Sequence, residues 1–161
     1  MTAEQGTTLS IISLPTRDSA IEIPWDTGIA KSRGIFGFDS MDARSRSFNL
    51  IRARLLELQA KKGWRMIGVV SATPNVGKSF ISANVAAALS PDPRFQTYLI
   101  DPDLRRGSLS NIFGLAPELG VRDYLGGSPG ADVPVAYKPE GGRLLIMPTA
   151  AGRIPSARLI A

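Results

Sequence analysis

Apolar residues recur at helical spacing over residues 41–62. Phe48, Ile51, Leu55 and Leu58 form one stripe, and Arg44, Arg46, Arg52, Arg54, Lys61 and Lys62 occupy the other face. The pattern predicts a helix there, with Asp39 or Ser40 capping its start and Gly63 ending it. Its stripe is expected to pack on a sheet; its basic face is either solvated or turned to an acidic partner or lipid. Met66-Ile67-Gly68-Val69-Val70 is an unbroken apolar run of buried-strand type. After a loop at 71–77, a second helix is predicted with Ile81, Val85, Ala88 and Leu89 on one face, stopped by Pro91 and Pro93. Thr97-Tyr98-Leu99-Ile100 reads as a second strand and residues 143–147 as a third. Residues 108–126 between them read as short helical turns that pack through Ile112, Phe113, Val121, Tyr124 and Leu125.

Strand, helix, strand and a crossover to another strand predict an α/β fold: a parallel sheet with helices on both faces. Residues 1–39 hold scattered apolar residues, Pro15 and Pro24, and no sustained periodicity. They read as a flexible leader, in which 11–14 and 21–23 are short edge-strand candidates and docking along the domain is the other reading. Residues 40–161 read as the folded unit.

The loop before the second helix carries the chemistry. Ala72-Thr73-Pro74-Asn75-Val76-Gly77-Lys78-Ser79 has phosphate-loop spacing, with Ala at the first glycine position. The spacing matters because consecutive backbone N–H groups must curl around anionic oxygens at the start of a helix. Gly77 lets the backbone approach phosphate, Lys78 is placed to reach the β- and γ-phosphates, and the Ser79 hydroxyl suits Mg²⁺. Asn75 is the best non-glycine residue for left-handed backbone angles. The expected nucleotide contacts are Thr73, Pro74, Asn75, Val76, Gly77, Lys78, Ser79 and Phe80, with ATP or ADP and Mg²⁺ as ligands. A second motif, Asp101-Pro102-Asp103-Leu104-Arg105, ends the second strand on the edge where α/β sheets bind ligands. Asp101 and Asp103 either hold the metal or its waters, or accept a proton from an attacking hydroxyl; Arg105 is placed to neutralise phosphate charge. Asp-Pro-Asp is also good turn chemistry by itself.

Composition narrows the chemistry. The 161 residues contain neither cysteine nor histidine, which excludes disulfides, thiolate metal sites and histidine acid–base work. The net charge is +5 and the pI about 10.0, read mainly as a solvated basic surface around a phosphate site, with no nucleic acid expected. No apolar run approaches the ~20 residues of a spanning helix. The N-terminus carries no secretion signal, so a cytoplasmic location is expected.

Together the two motifs resemble the bacterial tyrosine kinases of capsule and exopolysaccharide synthesis, within the MinD- and ParA-like P-loop ATPases. Residues 69–79 are similar to the Walker A segment of that family. Ala83-Asn84-Val85-Ala86-Ala87-Ala88-Leu89 is similar to the helix behind it, and residues 99–106 to its Walker A′ motif. Phe113-Gly114-Leu115, Gly120-Val121 and residues 147–152 continue the likeness. The resemblance implies a P-loop NTPase fold, ATP bound by residues 73–79, Mg²⁺ held by Ser79 and Asp101, and Asp103 with Lys78 and Arg105 assisting phosphoryl transfer. It implies a membrane chain-length or export protein as partner at the inner membrane face, and self-association. Thr73 stands where MinD- and ParA-type proteins carry an extra lysine, which favours the kinase branch over a positioning ATPase. Departures are Asn75-Val76 for the usual Gly-Glu, Gly107 for Pro, and Arg46, Asn49 and Arg52 where a Glu and two Arg are usual. The Walker B strand and tyrosine-rich tail of the family lie beyond the likeness. The chain as given is therefore expected to be the N-terminal portion of such a domain, binding nucleotide without turnover; a non-catalytic nucleotide-binding module is the other reading.

Overall fold

The computed structural model describes residues 14–132 and 134–150. The chain runs β1 (Ile21–Ile23), α1 (Thr27–Ser32), a 3₁₀ turn (Ala43–Ser45) and α2 (Arg46–Lys62). It continues with α3 (Lys78–Leu89), β2 (Thr97–Ile100), α4 (Ser108–Phe113), α5 (Val121–Leu125), β3 (Tyr137–Pro139) and β4 (Leu144–Met147). The four strands form one sheet in the order β1-β3-β4-β2.

β4 is the axis of the fold. Leu144, Leu145, Ile146 and Met147 are all buried, as a strand covered on both faces must be. Their alternation splits the core. Leu144 and Ile146 join Leu99, Ala83, Ala86 and Ala87 of α3, and Leu109 and Phe113 of α4. Leu145 and Met147 face the other way, toward Val121 of α5, Ala20 and Ala136. Helices therefore lie on both faces of an α/β sheet, as expected.

The sheet itself is mixed, which corrects the parallel expectation. β2 and β4 pair in parallel, but β3 runs antiparallel to β4 and brings β1 parallel onto its far edge. β3 was not legible, because Tyr137-Lys138-Pro139 has no alternation of its own and takes its place from the turn at Gly141-Gly142. A second correction concerns residues 66–70, expected as a buried strand. They form no strand, and Met66 and Val70 are 92% and 88% exposed. An apolar run becomes a strand only where a neighbour accepts its N–H groups, and no described strand lies beside this one.

The helices follow local chemistry. Asp26 caps α1, its carboxylate accepting from the Ile29 amide at 2.7 Å. The expected helix at 41–62 begins instead with the 3₁₀ turn capped by Asp42, and Gly63 closes α2 at φ 69°. α3 ends at Leu89, just before Pro91. Its buried face is a correction too. Ile81 is exposed and Val85 and Leu89 are half-buried, while Ala83, Asn84, Ala86, Ala87 and Ala88 are buried. Small residues face inward because the backbone at residues 34–37 lies directly against α3. A side chain at Gly37 would collide with the Asn84 carbonyl. Asn84 ties the two together: its Oδ1 accepts from the Phe36 and Gly37 amides at 2.7 and 3.2 Å, and its Nδ2 donates to the carbonyls of Gly34 and Phe80.

The stretch read as a leader, flexible or docked along the domain, is packed over its described part, residues 14–39. Trp25, Ala30 and Ile35 are buried, and the Trp25 ring lies 5.3 Å from that of Phe113 and 6.1 Å from that of Phe38. The strand candidate at 11–14 falls almost wholly outside the described residues, as does the segment from 151 onward. Among the described residues, no helix is long and apolar enough to cross a membrane.

Candidate phosphate-binding site

The loop at 71–77 enters α3 through two left-handed residues, Asn75 at φ 60° and Gly77 at φ 90°. Asn tolerates this conformation through its short polar side chain, and Gly77 has open space where a Cβ would stand. The winding leaves the amides of residues 75–80 without any acceptor among the described residues. The last three are the first N–H groups of α3, which have no intrahelical partner. Runs of amides in such turns form concave donor sites for anionic oxygen.

Lys78 lies over the loop. Its Nζ donates to Ser71 Oγ at 2.8 Å and more loosely to the Thr73 carbonyl at 3.4 Å, while Ser71 Oγ donates to that same carbonyl at 2.7 Å. A cleft of about 800 Å³ opens between the loop and the segment after β2, within the range of roughly 300–1,000 Å³ usual for ligand sites. Thr73, Pro74, Asn75, Gly77, Lys78, Ser79 and Phe80 line it from one side, and Asp103 and Arg105 from the other. Of the residues singled out by sequence, Val76 and Asp101 are not on its wall. Phe80 meets Phe36 and Phe48 edge to face, with centroids 6.5 and 5.7 Å away.

The two aspartates differ in environment. Asp101 is buried, and its oxygens accept from the Asp103 and Leu109 amides at 3.1 and 3.0 Å. Burial pushes its carboxyl above the ordinary value of 3.8; the two amides pull the other way, and the Asp103 charge adds to the rise. Asp101 thus anchors the start of α4 beside α3. Asp103 lines the cleft, and its Oδ1 accepts from the Arg105 and Arg106 amides at 3.2 and 3.1 Å. Among the described residues, no group of three or more carboxylates is placed to hold a metal by itself.

Three lining residues escaped the sequence reading: Ser71, Arg106 and Ser108. The Arg106 guanidinium donates to Asn75 Oδ1 at 3.2 Å, and Ser108 Oγ lies 2.6 Å from Ser79 Oγ. Arg106 adjoins Arg105 in the motif and was there to be found. Nothing in the sequence marks Ser108, which only the placement of α4 brings to the loop.

No family model and no solved structure matches the chain. Curated proteins do. EpsB of Ralstonia solanacearum, whose name assigns it provisionally to the tyrosine-protein kinases, is 30% identical over 129 residues, which is 78% of this chain and 17% of EpsB. The tyrosine-protein kinase Etk of Escherichia coli (strain K12) is 34% identical over 74 residues, covering 46% of this chain and 10% of Etk. The succinoglycan biosynthesis transport protein ExoP of Rhizobium meliloti (strain 1021) is 41% identical over 61 residues, 38% of this chain and 8% of ExoP. The aligned regions thus cover less than a fifth of each of these relatives. By these likenesses the chain belongs to the family of bacterial tyrosine-protein kinases of exopolysaccharide biosynthesis.

Proposed function

We propose that this chain binds the phosphates of Mg-ATP or Mg-ADP in the cleft between the 71–79 loop and residues 103–108, as the phosphate-binding part of a P-loop tyrosine kinase. The observation that carries the reading is the run of six amides, residues 75–80, without an acceptor among the described residues, beside a lysine and a hydroxyl in one cleft. This donor set fits a magnesium nucleotide. Mg²⁺ is commonly held by substrate phosphates, waters and only one or two protein oxygens, so an aspartate cage is not needed. Ser79 and Asp103 are the cleft oxygens that suit it, with Asp101 positioning the segment from beneath. When bound, the ion supplies charge neutralisation on the phosphates.

The amides of 75–80 cradle the phosphate oxygens, and Lys78 exchanges its hydrogen bond to Ser71 for one to phosphate. Arg105 adds positive charge on the opposite wall. Asp103, the cleft-facing carboxylate, is the group placed to accept a proton from an incoming hydroxyl. The larger role is that of the family: a kinase acting in polysaccharide synthesis and export, held to the inner membrane face by a membrane partner and assembling with further copies. Calorimetric titration of the chain and of Lys78→Met with Mg-ADP tests the site. The reading expects binding that weakens at least tenfold in the variant; equal affinity in both removes Lys78 from the site.

A further inference from the structure

The contact between Ser79 and Ser108 carries an inference of its own. Ser79 is the second residue of α3 and Ser108 the first of α4, 29 positions apart, yet their hydroxyl oxygens stand 2.6 Å apart on the wall of the cleft. The contact does not depend on a loose loop. α4 is fixed by Asp101, which accepts from the Leu109 amide, and by Ser110 Oγ, which donates to the buried Thr149 carbonyl at 3.1 Å. Ser108 is therefore presented to Ser79 by the two buried residues that follow it, Leu109 and Ser110.

We infer that Ser108 is a positioning residue for the Ser79 hydroxyl, orienting it as a ligand for a divalent cation; the inference rests on the nucleotide reading above. A hydroxyl that gives a lone pair to a cation must point its proton away from it. Ser108 Oγ is the acceptor placed to receive that proton. Accepting it fixes the Ser79 rotamer and raises electron density on the ligating oxygen, the usual role of a partner one bond behind a metal ligand.

The test compares ADP affinity with and without Mg²⁺ in the wild type, Ser108→Ala and Ser108→Thr, by calorimetry. In the wild type Mg²⁺ strengthens ADP binding. In Ser108→Ala that enhancement falls about tenfold, while affinity for metal-free ADP stays unchanged; Ser108→Thr keeps the wild-type enhancement. An unchanged enhancement in Ser108→Ala overturns the inference. So does an equal loss with and without metal, which marks a merely structural contact. A wild-type chain that binds no ADP under either condition overturns the nucleotide reading itself, and so is distinguishable from failure of the Ser108 role alone.

Discussion

Arg106 and Asn75 join the two walls of the cleft: the guanidinium donates to the Asn75 side-chain oxygen at 3.2 Å. Asn75 sits on the loop at φ 60°, and Arg106 follows the Asp103 turn. The link holds a cation against the loop, where the amides of residues 75–80 have no acceptor among the described residues.

Arg106→Gln is expected to weaken Mg-ADP binding about fivefold, or about 1 kcal/mol, as suits one exposed charge-assisted contact. The loss should shrink as salt rises, since exposed charges are screened. Calorimetry at two ionic strengths checks this, and an affinity equal to wild type at low salt would place Arg106 outside the phosphate field.

Trp25→Ala should lower the unfolding free energy by about 3–5 kcal/mol, the usual range for removing a large buried aromatic. Trp25 is buried against Phe113 and Phe38, so the loss would show that the segment before α2 belongs to the core. Urea unfolding measures it. An unchanged midpoint would mean that the segment does not contribute to folding.

Asn84→Leu should lower stability by about 2–4 kcal/mol, because it strands the half-buried Phe36 amide, the buried Gly37 amide and the Gly34 carbonyl together. Ordinary surface substitutions stay within about 0.5 kcal/mol, so thermal unfolding resolves the difference.

Asp92 should govern part of the acid sensitivity. The Arg94 guanidinium and amide, with the charge of Arg52, hold its carboxyl down at about 2, below the ordinary 3.8. A lowered folded value stabilises the protein above 3.8, and that contribution is lost as pH falls from there through about 2. Asp101 is shifted the opposite way, so its protonation favours the folded state as pH falls and partly offsets the loss. Urea midpoints of wild type and Asp92→Asn from pH 5 to pH 2 should differ above 3.8 and converge toward the acid end; parallel curves would contradict this.

The elements with strong local signals were legible in the sequence. Residues 97–100 and 144–147 are strands, Gly63 caps the end of α2, and Pro91 follows the end of α3. What depends on tertiary partners was not. Residues 66–70 have strand composition but no described ladder partner, and β3 exists only because β4 and β1 flank it. The buried face of α3 is set by the close backbone at Gly37, which demands alanines, and not by the large apolar residues that dominate its local pattern. In the site, the loop and Asp103 were visible as motifs. The Ser79–Ser108 contact spans 29 positions and leaves no local trace.

The most direct test of the central claim is amide NMR of the ¹⁵N-labelled chain, titrated with Mg-ADP and separately with adenosine. If residues 75–80 cradle phosphate, their amide resonances show the largest shifts of the spectrum with Mg-ADP and stay near their free positions with adenosine. Shifts confined to other residues, or equal shifts with both ligands, would contradict the account.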